Sequence, residues 1–212
     1  MRNRSAELIL ITAVCCLGQA AEAQEARLLS QFIWQGSAES HGGYSGIELS
    51  DDGQAFTIIN DKGIIVQGRF ERATSQAGTG EITGISETFR KRLQSDTGAP
   101  LVPEGRDTEG LAIARDGRVF VSVEGVHLVL AFASAGANAV VLPQPDQFLS
   151  FGSNSSLEAL AIDDQGTLFT LPERSGRLRR PFPVFTYRDG AWSQPFAVPR
   201  RGAFLVVGAD FG

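Results

Sequence analysis

Three stretches of the chain superpose without a gap, and that repeat limits the fold more than any other feature. They are Gly46-Ile-Glu-Leu-Ser-Asp-Asp-Gly53, Gly110-Leu-Ala-Ile-Ala-Arg-Asp-Gly117 and Ala159-Leu-Ala-Ile-Asp-Asp-Gln-Gly166. The match continues past the turn, where Ala55, Val119 and Leu168 align and phenylalanine follows each time, as Phe56, Phe120 and Phe169. Gly110 lies 64 residues after Gly46, and Ala159 lies 49 after Gly110. Another 49 residues on, Gly208 opens Gly208-Ala-Asp-Phe-Gly212. A recurring unit of this length stacks against its neighbours to bury a core none of them could bury alone.

Each unit reads as a strand of period-two alternation, a tight turn ending in glycine, and a second strand. Asp-Gly suits such turns because glycine takes the positive φ they need. Third and fourth strands follow at residues 127–133 and 139–142 in the second unit, and at 182–188 and 191–198 in the third. The first unit has a third strand over residues 64–71, then a long excursion over 73–103 that accounts for its wider spacing. Four short antiparallel strands per unit predict an all-β fold, a β-propeller of four-stranded blades, in preference to a generic β-meander. Closed propellers need roughly 4–8 blades. This chain encodes three and the start of a fourth, so the expectation is an incomplete propeller, truncated at its C-terminus with an unpaired edge. Residues 28–34 read as a strand able to complete a final blade.

The first 23 residues stand outside that scheme. Arg2 and Arg4 precede an apolar run from Leu8 to Leu17, and Ala21-x-Ala23 follows. A basic start, a short greasy core and small residues at the exit describe a secretory leader cleaved after Ala23, with the propeller domain over 24–212. A lipoprotein leader ending at Cys15 or Cys16 fits less well, because Val14 and Cys15 stand where a small residue should. Both cysteines lie in the leader, which leaves the mature chain free of thiols and agrees with export to an oxidising compartment, periplasmic or extracellular. No apolar run reaches the ~20 residues of a membrane span. The net charge of −5 and pI near 5.1 argue against a nucleic-acid partner, which needs an excess of Lys and Arg.

From about Gly42 to its last residue the chain resembles the secreted bacterial family called esterase-like activity of phytase. The matching stretches are Gly42-Gly-Tyr-Ser-Gly46, Asn60-Asp-Lys-Gly63, Asp107-Thr-Glu-Gly-Leu111, Ser122-Val-Glu-Gly125 with His127, Ser155-Ser-Leu-Glu-Ala-Leu160, Pro172-Glu173 and Gly208-Ala-Asp-Phe211. The resemblance implies a β-propeller with an ester- or phosphoester-hydrolysing activity. More distantly, Glu109-Gly-Leu-Ala followed by Asp-Gly looks like the gluconolactonase-type propellers, whose equivalent glutamate binds a divalent cation.

In a blade the innermost strand lines the channel and the next runs antiparallel to it. The start of the first and the end of the second therefore share one face, opposite the Asp-Gly turns. On that face lie Ser45, Glu109 and Glu158 at strand starts, and Asn60, Glu124 and Glu173 at strand ends, with Asp61 and His127 close by. Converging oxygens suit a hard cation, Ca²⁺ above others, which takes about 6–8 of them. We assign Glu109, Glu158 and Asn60 as metal ligands, Glu124, Glu173, Asp61 and His127 as acid/base groups, and Ser45, Arg174 and Arg177 as substrate contacts. The bland alternative makes these carboxylates solvated strand ends or ion-pair partners of Arg106, Arg174 and Arg177.

Gly43-Tyr-Ser-Gly46 is not a nucleophile elbow, since Ile47 stands at the motif's final glycine and no helix follows. His41 and His127 are the only histidines available as a base, and His41 falls in the segment leading into the first blade. Phosphate-loop, dinucleotide, His-x-x-x-His and EF-hand patterns are absent. The functional expectation is a secreted, metal-assisted hydrolase of small ester or phosphoester substrates. A non-catalytic propeller that binds a periplasmic ligand or protein is the alternative.

Overall fold

The computed structural model describes residues 28–36, 41–74, 80–101, 107–152 and 157–211. The expected leader, both cysteines and Arg106 lie outside the described residues. Among the described residues twelve strands form three four-stranded antiparallel sheets, each in simple sequential order. Blade one comprises β1 (Tyr44–Leu49), β2 (Ala55–Asn60), β3 (Ile64–Arg72) and β4 (Ile82–Arg92). Blade two comprises β5 (Thr108–Ile113), β6 (Val119–Val123), β7 (Leu128–Phe132) and β8 (Ala139–Val141). Blade three comprises β9 (Ala159–Ile162), β10 (Leu168–Leu171), β11 (Phe182–Arg188) and β12 (Ala191–Val198). The architecture is that of a partial β-propeller, as the repeat predicts. No helix among the described residues is long and apolar enough to cross a membrane.

Successive side chains of a strand point to opposite faces, so each blade has a rear face toward the preceding blade and a front face toward the next. Blade two shows both. Leu111, Val119, Val121, Leu130 and Phe132 face back onto Ile59, Ile65 and Leu93 of blade one. Ala112, Phe120 and Val129 face forward onto Leu160, Leu168 and Phe185 of blade three, joined by Phe148 from the short 3-10 turn Asp146–Ser150. The hairpin between β11 and β12 turns on Asp189 and Gly190, both at positive φ (50° and 83°), which matches the right-handed twist of the flanking strands.

Three features depart from the sequence reading. The excursion of the first unit contains β4, an eleven-residue strand that completes blade one. Residues 28–34 form no strand. They run over blade one instead, where Ser30 Oγ accepts the Ile82 N–H at 2.9 Å and Trp34 joins Phe56, Phe70 and Ile85.

The third departure concerns the aligned phenylalanines. The turn of blade one closes with Ser50 N–H donating to the carbonyl of Ala55, whereas the others close one residue sooner, from Ala114 to Arg118 and from Asp163 to Thr167. Leu49 therefore pairs with Phe56, while Ile113 pairs with Val119 and Ile162 with Leu168. A one-residue slip turns every side chain of a strand to the other face. Phe120 and Phe169 face forward as aligned; Phe56 faces the rear, and Thr57 takes its place.

The segment after β12 forms no strand among its described residues 199–211. It nevertheless follows the path of a fourth inner strand. The Val206 N–H meets the carbonyl of Glu173, Val206 joins Ala159, Leu171, Phe182 and Val184, and Phe211 packs edge-on against Phe169. Residues 207–210 share a cleft with β1, β5 and Glu158.

Candidate functional site

The inner strands β1, β5 and β9 lie side by side, and their starts open at one mouth together with the ends of β2, β6 and β10. A lattice of hydrogen bonds fixes that mouth. Ser45 Oγ donates to the carbonyl of Thr108 at 2.6 Å, and Thr108 Oγ1 donates to the carbonyl of Asn60 at 2.6 Å, which ties blade one to blade two. Asn60 is fully buried. Its Oδ1 accepts from the N–H groups of Lys62 and Ile64, and its Nδ2 donates to the Gly42 carbonyl. These contacts make Asn60 the brace of the β2–β3 turn, the turn that presents Asp61.

Asp107, Glu109 and Glu124 each place a carboxylate oxygen within 4.8 Å of the other two. The backbone holds the group together, since Glu124 N–H donates to the Asp107 carbonyl at 2.7 Å. Burial pushes the Glu109 carboxyl up to about 7, and the charges of Glu158, Glu124, Asp107 and Asp61 push in the same direction. Glu158 is likewise raised, first by burial and then by Glu173 and Glu124, with Arg174 opposing. One field thus couples six carboxylates from three blades.

Asp61 faces the same group through its effect on Glu109. Its Oδ1 is buried with no hydrogen-bond partner among the described residues, and its carboxylate rests where a Cβ on Gly43 would sit, 2.5 Å away. Oxygen donors at this density, one of them orphaned, fit a divalent cation of the hard class.

The remaining assigned residues take different places. Arg174 Nε donates to Glu173 Oε2 at 2.9 Å, and the Glu173 side chain is only 12% exposed, so an ion pair rims the carboxylates. Arg177 is exposed on the loop beyond, its carbonyl accepting from Ser175 Oγ. His127 is buried at φ 53°, edge-on to Phe151, and burial lowers its pKa. Phe151 belongs to the apolar cluster between blades two and three, so His127 stands against that wall.

Asp107 belongs to the site but was not singled out from sequence. Period-two alternation was the available signal, because residues 107 and 109 of one strand start share a face. Glu48 and Asp210 form a second acidic pair. Glu48 is pushed up to about 7 by burial and by Asp210, which stands two residues after Gly208 as Glu48 stands two after Gly46.

Fold and site together define a partial β-propeller whose three blades bring carboxylates together at one mouth. The chain belongs to the phytase-like family, described as esterase-like activity of phytase, whose model matches residues 39–210. No curated protein matches it. Among solved structures it is similar to virginiamycin B lyase from Staphylococcus aureus, with 15% identity, a TM-score of 0.44 and coverage of 76% of this chain and 43% of that one. It is also similar to a protein from Lactobacillus plantarum, with 12% identity, a TM-score of 0.43 and coverage of 78% and 44%. The chain spans less than half the length of either.

Proposed function

We propose that the mouth binds one divalent cation, Ca²⁺ above others, and that the protein is an exported hydrolase of ester or phosphoester substrates. The observation that carries this reading is the crowding around Glu109, whose carboxyl is held up to about 7 by burial and by four neighbouring acids. Carboxylates are not packed this closely for stability, since like charges at short range destabilise the fold unless a cation or proton joins them.

Asp107, Glu109 and Glu124 would hold the ion, with Asp61 completing the set from blade one. A cation bound there supplies Lewis acidity, polarising a carbonyl or phosphoryl oxygen and acidifying a water. The chain's own groups do the proton work. Glu173, ion-paired to Arg174, takes the proton from the attacking water. Glu158, biased toward its protonated form, returns one to the leaving oxygen. Arg174 lies beside both and contacts an anionic substrate group. His127 contributes to the wall and Asn60 to the position of Asp61. The basic start and apolar run of residues 1–23 support export, which N-terminal sequencing of the secreted product checks.

The test is hydrolysis of chromogenic carboxylic and phosphate esters with and without Ca²⁺, beside calorimetric titration of the ion. Expected is Ca²⁺ binding abolished in Glu109→Gln and turnover that chelator removes. Turnover indifferent to chelator and to Glu109→Gln would overturn the metal mechanism. Ion binding without turnover on either ester class would favour the binding module instead.

A further inference from the structure

We infer that the cleft between blades one and two, on the face opposite the channel mouth, binds a neutral saccharide of disaccharide size. Its origin is the one-residue slip in the turn of blade one. The slip sends Phe56 to the rear and leaves Thr57 at the position that Phe120 holds in blade two. Glu48 pairs with Thr57 and Thr57 with Gln67, where Ala112 pairs with Phe120 and Phe120 with Ala131. The row that blade two presents to blade three is thus apolar and packed, while the same row of blade one is polar. In place of packing there is a cleft of about 960 Å³, lined by Glu48, Thr57, Gln67 and Phe89 of blade one and by Ile113 and Val119 of blade two.

The chemistry of that row selects the ligand. Thr57 is only 7% exposed. Gln67 Nε2 donates to its Oγ1 at 3.2 Å, and no other described residue bonds either side chain. The Thr57 proton and the Gln67 carbonyl are therefore left for a ligand, and a buried donor is costly to leave unpaired. With the Glu48 carboxyl beside them, donors and acceptors alternate along one row, which matches the vicinal hydroxyls of a sugar, each both donor and acceptor. Phe89 ends the row, with its ring beside Gly136, and gives the C–H face of a sugar ring an apolar platform. Asp51 and Arg69 stand at the rim, and Arg115 there is paired to Asp164 at 2.7 Å, so the rim is balanced and gives an ionic ligand no advantage. The volume lies near the top of the ~300–1,000 Å³ of small-molecule sites, which suits a disaccharide better than a single ring.

NMR titration of the purified chain with maltose, cellobiose and N,N′-diacetylchitobiose tests the site. Expected is saturable binding of at least one of them, millimolar or tighter, with amide shifts centred on β2 and β3 around Thr57 and Gln67 rather than on Glu109 and Glu158. Thr57→Val keeps the shape, removes the hydroxyl and should weaken binding about fivefold, or about 1 kcal/mol. Gln67→Leu should weaken it at least as much. Thr57→Phe, which puts into blade one the side chain that blade two carries there, should fill the cleft and abolish binding. Circular dichroism and thermal unfolding check that each variant is folded. None of these readouts involves the mouth, so the outcome stands apart from any ester or Ca²⁺ chemistry. Absence of saturable binding of all three sugars overturns the proposal. So does binding that folded Thr57→Phe leaves intact, or glucose 6-phosphate binding more tightly than glucose with shifts at these same residues.

Discussion

A Cβ added to Gly110 would stand 2.7 Å from the Cβ of Leu160, so the inner strands of blades two and three touch where only glycine fits. The same contact occurs one blade earlier, where a Cβ on Gly46 would lie 2.8 Å from that of Leu111. Glu109 immediately precedes Gly110, and Glu158 immediately precedes Ala159. The close approach of the strands therefore also sets the spacing of the two acids. Core packing and site electrostatics are one geometric fact.

Gly110→Ala should accordingly cost about 2–3 kcal/mol, because the added methyl also meets Ser122 Oγ at 2.8 Å and the backbone carbonyl of Glu158 at 2.9 Å. Gly46→Ala, with its other contacts at 3.1 Å, should cost about 1–2 kcal/mol. Gly117→Ala meets nothing within 4 Å and should cost only about 1 kcal/mol, through its positive φ of 86°. Urea unfolding ranks the three. In folded Gly110→Ala the blades are spread, so the Glu109 midpoint followed by NMR should fall from about 7.

Removing one acid should stabilise the ion-free chain. At pH 8, above the Glu109 midpoint of about 7, Glu158→Gln relieves repulsion within the cluster and should raise Tm. The same substitution should lower the Glu109 midpoint, since Glu158 is its largest charged neighbour. Glu109→Gln should also raise Tm without the ion, yet it should abolish the further rise that Ca²⁺ produces in the parent. Thermal scans with Ca²⁺ and with chelator separate these effects.

The pH dependence follows from the same raised midpoint. Glu109 titrates near 7 in the folded chain against an ordinary value of 4.5. Between those values the folded state holds the proton that the unfolded state has released, so stability falls as pH rises from 4.5 to 7 and is level above. Ca²⁺ binding runs the opposite way, because the ion must displace that proton. Affinity should climb about tenfold per pH unit below 7 and flatten beyond it. Denaturation and calorimetry across pH 5–8 check both slopes.

Much of this is legible in the sequence. Spacing and alternation located three blades, the β11–β12 hairpin, and a mouth holding Glu109, Glu158, Glu124 and Glu173. What alignment could not reveal was anything decided by hydrogen bonding rather than residue type. The one-residue difference between the Ser50–Ala55 closure and its counterparts leaves the sequence match intact while turning Phe56 to the opposite face. β4 was hidden because its eleven residues, from Ile82 to Arg92, are mostly polar, with only Ile82, Ile85 and Phe89 apolar and out of strict alternation. Asn60 shows the same limit: an amide at a strand end reads as a ligand, while its bonds to the backbone of Lys62, Ile64 and Gly42, which also brace the turn, leave no trace in the sequence.

That role gives a last expectation. If Asn60 braces the turn that carries Asp61, Asn60→Asp keeps the acceptor for the Lys62 and Ile64 amides and loses the donor to Gly42. It should cost more than the ~1–2 kcal/mol of a lost hydrogen bond, because it also buries a carboxylate beside Asp61. Asn60→Ala strands two amides and a carbonyl in a buried position and should cost about 3 kcal/mol or more. A direct ligand role would make Asn60→Asp bind Ca²⁺ more tightly through its added charge. The bracing role leaves affinity in the folded Asn60→Asp chain within about threefold of the parent, a difference of less than 1 kcal/mol. Calorimetric titration beside urea unfolding of the two variants distinguishes brace from ligand.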